Sequence, residues 1–218
     1  MKLLLTSSGL TNKSISDALF DLVGKPAKET TIVFIPTAMN VGRGDKSWFI
    51  KDLNNILEQG FKFIDIVDIS ALPKEVWQPR IERGDVLFFS GGNRPHLMSC
   101  LKDSGLDKML PQLLQTRVYV GVSAGSIVTN PTIATSSQEK KNYYKEVFNY
   151  ENEEALSFVD FYIRPHFDPT SFSDTYQMQV EHIAKDSGKS VYVIDDQTAL
   201  KVVDGTIEVI SEGEYLKF

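Results

Sequence analysis

The stretch VYVGVSAGSIVTN, residues 118–130, decides how the chain is read. Val118, Val120 and Val122 belong to an aliphatic, β-branched run that predicts a buried strand, and Ala124 to Val128 predicts the opening of a helix. Gly121, Ser123 and Gly125 spell G-x-S-x-G at the junction. Small neighbours let a backbone turn so sharply there that the serine hydroxyl projects into a cleft. The amide of the next residue, Ala124, points the same way and suits an oxyanion. Two readings stay open at this point: a nucleophile, or a tight structural turn.

Outward from this junction, strand-like and helix-like runs alternate. Leu3–Thr6, Thr31–Ile35, Phe63–Ile69 and Val86–Phe89 predict strands. Helices are expected from about Lys13 to Leu22 and from Lys46 to Gln59, with a broken pair between His96 and Gln115 interrupted near Gly105. This order implies an α/β fold, a mostly parallel sheet with helices on both faces. Beyond residue 129 the rhythm changes to a polar, charged excursion with interspersed aromatics. Phe158–Ile163 then predicts a strand and Ser173–Lys185 a helix. Val191–Ile194, Leu200–Val203 and Ile207–Ile210 predict closing strands, the last two joined by an Asp204-Gly205 hairpin. With no repeat and no low-complexity linker, one domain over residues 1–218 is expected.

Composition narrows the partners. A net charge of −6 disfavours a general nucleic-acid surface. Cys100 is the one cysteine, so neither an internal disulfide nor a cysteine zinc cluster can form. No apolar run reaches the roughly eighteen residues of a membrane span, and the opening MKLLLTSSGL predicts a strand rather than a secretory leader. A cytoplasmic location without membrane association is expected. Arg43-Gly44-Asp45 and Asn12-Lys13-Ser14 are then turn or cap residues, not adhesion or glycosylation signals. Neither H-E-x-x-H nor a phosphate-binding glycine loop occurs, so no metal and no cofactor is expected.

A serine hydroxyl needs a base, and the base is usually oriented by an acid. The histidines are His96, His166 and His182. His182 falls within an amphipathic helix, and His96 follows Pro95 just after SGGN, where capping a helix and lining the cleft are both open. His166 follows the strand-like DFYIRP, at the carboxyl edge where ligands of open parallel sheets bind. Asp195 and Asp196 follow VYVI at a similar position; adjacent side chains diverge, so at most one reaches the imidazole. An α/β-hydrolase order would require His182 with Asp160, Asp168 or Asp174. The order Ser123, His166, Asp196 instead sets every member after a strand.

In this order and spacing, SGGN (90–93), GVSAG (121–125), NPTIATSS (130–137), RPHF (164–167) and VIDDQTAL (193–200) resemble the dipeptidase E (aspartyl dipeptidase) family of serine peptidases, to which cyanophycinase is related. The resemblance runs from the first strand to about Val203. It implies a class I glutamine amidotransferase-like sandwich, with Ser123 as nucleophile, His166 as general base, and the amides of Gly92 and Ala124 as oxyanion hole. Asp196 matches the position of the family's glutamate with a shorter side chain. Some members take an aspartate shortly after the elbow, where this chain has Gln138 and Glu139, so Glu139 is the alternative acid. Cleavage after an N-terminal aspartate is implied too. Arg164 and Arg94, near the expected cleft, are either bidentate partners for its carboxylate or surface salt-bridge residues, and Asn93 is a further candidate substrate-binding residue.

The expected activity is therefore a serine exopeptidase acting on dipeptides or short peptides through an acyl-enzyme, as a monomer or homodimer. An esterase or amidase using the same residues, and a non-catalytic small-molecule-binding relative, are the alternatives.

Overall fold

Three consecutive leucines, Leu3 to Leu5, are all buried, which a strand achieves only in a sheet covered on both faces. They lie in β1 (Lys2–Thr6). The computed structural model describes residues 1–133, 145–146, 153–171 and 173–218. Around β1 it builds a seven-stranded sheet from β2 (Thr31–Ile35), β3 (Phe63–Ile66), β4 (Val86–Phe89), β5 (Val118–Val122), β8 (Thr198–Val203) and β9 (Thr206–Ser211). The strand order is β3-β2-β4-β5-β1-β8-β9. The first five pair in parallel, and β8 and β9 close the edge antiparallel. This is the expected α/β architecture.

Alternation along the strands sorts side chains into two layers. On one face Leu4, Phe34, Phe88 and Val120 meet Ile15, Leu19 and Leu22 of α1 (Lys13–Val23) and Ile56 of α2 (Ser47–Glu58). On the other, Leu5, Val33, Phe89 and Tyr119 meet Trp77 of α3 (Lys74–Ile81), Leu97 of α4 (Arg94–Ser104) and Leu110 of α5 (Leu106–Leu113). Asn12 caps α1, its side chain accepting from the Ile15 amide at 2.9 Å, and Asp45 accepts from the Ser47 amide at the start of α2. Both sequence decoys therefore serve as local caps.

Some elements differ from expectation. The strand expected at 158–163 is only β6 (Tyr162–Arg164), and it leaves the main sheet. It pairs in parallel with β7 (Val191–Ile194), which pairs antiparallel with β10 (Tyr215–Lys217). This smaller sheet has its own core, Tyr162, Val191 and Val193 against Val180 of α7 (Asp174–Ser187). Asn130, 1% exposed, docks the two sheets: its Oδ1 accepts from the Ile163 amide at 3.0 Å, occupying an edge that no strand among the described residues covers. Helix α3 escapes sequence reading because Pro79 interrupts an already weak apolar stripe. At the predicted hairpin, Asp204 and Gly205 both take positive φ (47° and 85°), as a type I′ turn requires.

Register matters most at the carboxyl ends. Thr6 pairs with Val122, and Phe89 with Gly121, so β1, β4 and β5 end side by side. The loops after them converge there. Helix α6 (Ala124–Ile127) starts directly from β5, and Gly125 passes so close to β4 that a Cβ would lie 2.3 Å from the Phe89 carbonyl oxygen. Gly125→Ala should therefore destabilise the fold by roughly 2–3 kcal/mol through backbone overpacking. Urea unfolding measures this, and an unchanged midpoint would contradict the packing.

Candidate active site

Ser123 sits at φ 46° and ψ −100°, a region that costs a non-glycine residue roughly 1–3 kcal/mol. Its surroundings over-determine that conformation. The Ser123 amide donates to the Thr6 carbonyl at 3.1 Å, and the Ser123 carbonyl accepts from the amides of Ser126 and Ile127 at 3.0 and 2.9 Å. Ser126 Oγ donates to the same Thr6 carbonyl at 2.7 Å. Below the turn, the buried Tyr119 ring stacks on Phe89 at 4.6 Å, and its hydroxyl donates to the Gly125 carbonyl at 2.6 Å. Burial holds that phenol well above the ordinary tyrosine pKa, so it remains a donor. The chain thus turns sharply and leaves the serine side chain outside.

That side chain meets a histidine. Ser123 Oγ lies 2.9 Å from His166 Nε2, and His166 Nδ1 lies 2.9 Å from Asp196 Oδ1. His166 follows β6 after Pro165 and takes φ 63°, a left-handed turn that lifts the imidazole towards β5. Its backbone amide donates to Ser7 Oγ at 2.9 Å, and the next amide, of Phe167, donates to the Ile194 carbonyl at 2.9 Å. Asp196 arrives from the end of β7. The two adjacent acids diverge: Asp195 accepts from the Gln197 amide and Thr198 Oγ1 at 3.0 and 2.6 Å, closing the turn into β8, while Asp196 faces the imidazole.

Ser7, read from the sequence only as the sequel to a first strand, completes the network. It is fully buried and donates to Asp196 Oδ1 at 2.5 Å while accepting from the His166 amide. The His166 hydrogen bond, together with those from Ser7 and Ser8, holds the Asp196 carboxyl well below the usual range against the opposing effect of burial. Asp196 is therefore anionic wherever an imidazole changes charge. With Nδ1–H directed at a carboxylate, Nε2 is left as the acceptor facing Ser123.

Ser7, Ser8, Trp48, Asp52, Gly91, Gly92, Val122, Ser123 and His166 line a cleft of about 320 Å³. Gly92 takes φ 133°, and a Cβ there would fall 2.3 Å from the Ala38 carbonyl oxygen, so only glycine brings this loop against its neighbour. The Ala124 amide opens α6 and has no acceptor within its own helix.

The other expected residues fall elsewhere. Asn93 caps α4, its Oδ1 accepting from the His96 amide at 2.8 Å, and is not among the described lining residues. Arg164 is 8% exposed in β6; burial, then the nearby Arg94, lowers its guanidinium pKa from the ordinary value. It too is absent from that lining, as is Arg94. His96 stands 3.5 Å from Cys100 Sγ, and His182 pairs with Asp186 at 3.0 Å on the outside of α7. Gln138 and Glu139 lie outside the described residues. Among the described residues no group of three or more His, Cys, Asp or Glu could hold a metal ion, and no helix is long and apolar enough to cross a membrane.

Asp52 was also missed. It interrupts the apolar stripe of α2 between Trp48 and Ile56, four residues from each, which is a legible signal in retrospect. It is 6% exposed, and its Oδ2 has no hydrogen-bond partner. Burial raises its pKa from 3.8 to about 7 against the pull of Lys51; Asp196 adds to the rise and His166 opposes it. An acid raised in this way costs stability, a cost that grows as pH climbs from the unfolded pKa to the folded one and is complete above about 7. Asp52→Asn should thus stabilise the chain by roughly 2–4 kcal/mol at pH 8, with the gain vanishing below about pH 4. Denaturation at the two pH values tests this; a gain of equal size at both would contradict it.

The chain is similar to known peptidases. Residues 3–210 match Peptidase family S51. The uncharacterized peptidase Lmo0363 of Listeria monocytogenes is 30% identical over 172 residues, covering 78% of this chain and 80% of its own. Peptidase E of Nostoc sp. is 28% identical over 137 residues, covering 60% of this chain and 54% of its own. Among solved structures, a Peptidase E candidate from L. monocytogenes EGD-e superposes with a TM-score of 0.78 at 25% identity, covering 97% and 98% of the two chains. A peptidase from an acI-B1 actinobacterium shares the fold, with a TM-score of 0.70 at 17% identity over 98% and 88% of the chains. With a family match over nearly its whole length and a fold shared with solved peptidases, the chain belongs to peptidase family S51.

Proposed function

We propose that this peptidase is a serine exopeptidase that removes the first residue of dipeptides or short peptides through an acyl-enzyme. The observation that carries the reading is the continuous contact of Ser123 Oγ, His166 Nε2, His166 Nδ1 and Asp196 Oδ1, each link 2.9 Å. In this reading Ser123 Oγ attacks the scissile carbonyl while His166 Nε2 takes its proton. Asp196 stabilises the imidazolium that forms, and the amides of Gly92 and Ala124 bind the developing oxyanion. His166 returns the proton to the leaving amine. A water then enters on Nε2 and releases the acyl group from Ser123 by the same steps in reverse.

Substrate length follows from space. A cleft of about 320 Å³ accommodates a residue or two beside Ser123. An N-terminal aspartate is part of this reading through the resemblance alone, since Arg94 and Arg164, whose cationic forks match a carboxylate, act on each other but do not line the cleft. Asn93 would serve by fixing the start of α4 beside Gly92.

Ser123→Ala should abolish peptide turnover, by up to ~10⁶-fold, while leaving the fold intact, because one hydroxyl is lost from a turn held by backbone bonds. A dipeptide panel on folded protein is the test; activity within tenfold of wild type would overturn the assignment. Asp196→Asn should lower turnover by about 10³–10⁴-fold with a far smaller change in KM, since the amide favours the wrong tautomer. Ser7→Ala should reduce turnover less, by about tenfold, through loosening of Asp196. Glu139→Gln should have little effect. A Glu139 variant weaker than the Asp196 variant would move the acid to the segment after the elbow.

A further inference from the structure

The cleft holds a charge that the proposed chemistry does not use. Asp52 projects from α2 into the same lining as Ser123, His166 and Gly92, and a Cβ added at Gly9 would come within 3.6 Å of its Oδ1. Lys51, on the same helix, favours its ionisation and Asp196 opposes it. Neither is a hydrogen-bond partner: Oδ2 is buried and unpaired. A buried carboxyl without a partner is costly, and chains retain few of them without a compensating ligand. Metal is a poor candidate, because among the described residues no further ligands gather around Asp52.

We propose that Asp52 receives the α-ammonium of the substrate, so that the peptidase recognises an unblocked peptide N-terminus. This rests on the exopeptidase reading above and deepens it. A free amino terminus is the cation that every such substrate brings into the site, whatever its side chain, and it lies one carbon from the carbonyl that Ser123 attacks. Burial pushes the Asp52 carboxyl up to about 7, and Asp196 opposes its ionisation. An arriving ammonium favours the carboxylate, so binding and deprotonation are linked: Asp52 releases its proton to solvent and forms a charge-assisted hydrogen bond. An N-acylated peptide brings no cation and leaves Asp52 unpaired. This arrangement separates exopeptidase from endopeptidase action by a single carboxyl.

The test uses binding, so it does not depend on turnover. The Ser123→Ala chain is titrated by calorimetry with Asp-Leu, Ala-Leu and the N-acetyl form of each. At pH 7.5 the free-amine peptides should bind at least tenfold more tightly than their acetylated forms, and their affinity should fall by about tenfold or more between pH 7.5 and 5.5 as Asp52 protonates. In the Ser123→Ala, Asp52→Asn chain the preference should shrink to within about twofold and the acid loss should flatten. His166 and Asp196 are present in both chains, so the difference between the two isolates Asp52. Equal binding of free and acetylated peptides, failure of all four to bind, or a preference that survives Asp52→Asn would overturn the proposal. The preference and its pH slope in the chain that keeps Asp52 decide the matter even if the double variant fails to fold. Hydrolysis of the same four peptides by the wild-type chain reports separately on the exopeptidase reading.

Discussion

Everything at this site depends on one steric constraint, the reversal of the chain at Ser123 between a fully buried strand and the first turn of a helix. The turn requires a residue in an unfavourable backbone region, and the structure meets that requirement by crowding. Gly125 lies against the Phe89 carbonyl, Tyr119 holds the Gly125 carbonyl from below, and the Thr6 carbonyl accepts from both the Ser123 amide and Ser126 Oγ. These contacts come from β1, β4 and β5, the centre of the sheet. Strain at the nucleophile is therefore borne by the stiffest part of the fold.

The partners of Ser123 reach it by a different route. His166 and Asp196 lie just past two strands of the smaller sheet, which is docked on the larger one by Asn130 and by the passage of the chain from β7 into β8. Ser7 joins the two halves, because one hydroxyl just past the end of β1 accepts from the His166 backbone and donates to the Asp196 carboxylate. Nucleophile and base are thus held from separate sheets by a buried polar contact, and such networks fix geometry well when every member is satisfied. Asp52 is the exception in the same cleft, a buried acid with an unsatisfied oxygen. A site that keeps such a group gives up stability for recognition, the compromise expected where a ligand supplies the missing partner.

Much of this arrangement was legible in the residues. The β-branched run ending in GVSAG gave the turn, the alternation of strands and helices gave the parallel sheet, and the strand-end position of His166 and Asp196 gave their proximity to Ser123. The split into two sheets was not legible, because β6 is three residues long and pairing partners leave no local trace in so short a run. Ser7 escaped because serine after a strand is also the commonest kind of turn residue, although the same strand-end argument that selected His166 applies to it. Asp52 escaped because one acid in an amphipathic helix is ordinarily solvated; only its place between Trp48 and Ile56 marks it as buried. Asn93 and Arg164 were selected for their place after strands beside the expected cleft; Asn93 caps α4, Arg164 is buried in β6, and neither is in the lining around Ser123.

The most direct test of the account is to treat the wild-type chain with a fluorophosphonate and locate the adduct by peptide mass spectrometry. A serine activated through His166 and Asp196 predicts one adduct per chain, carried by the peptide that contains Ser123 and suppressed when His166 is replaced by alanine. An adduct on another residue, or no adduct on a folded chain that hydrolyses peptides, would contradict it.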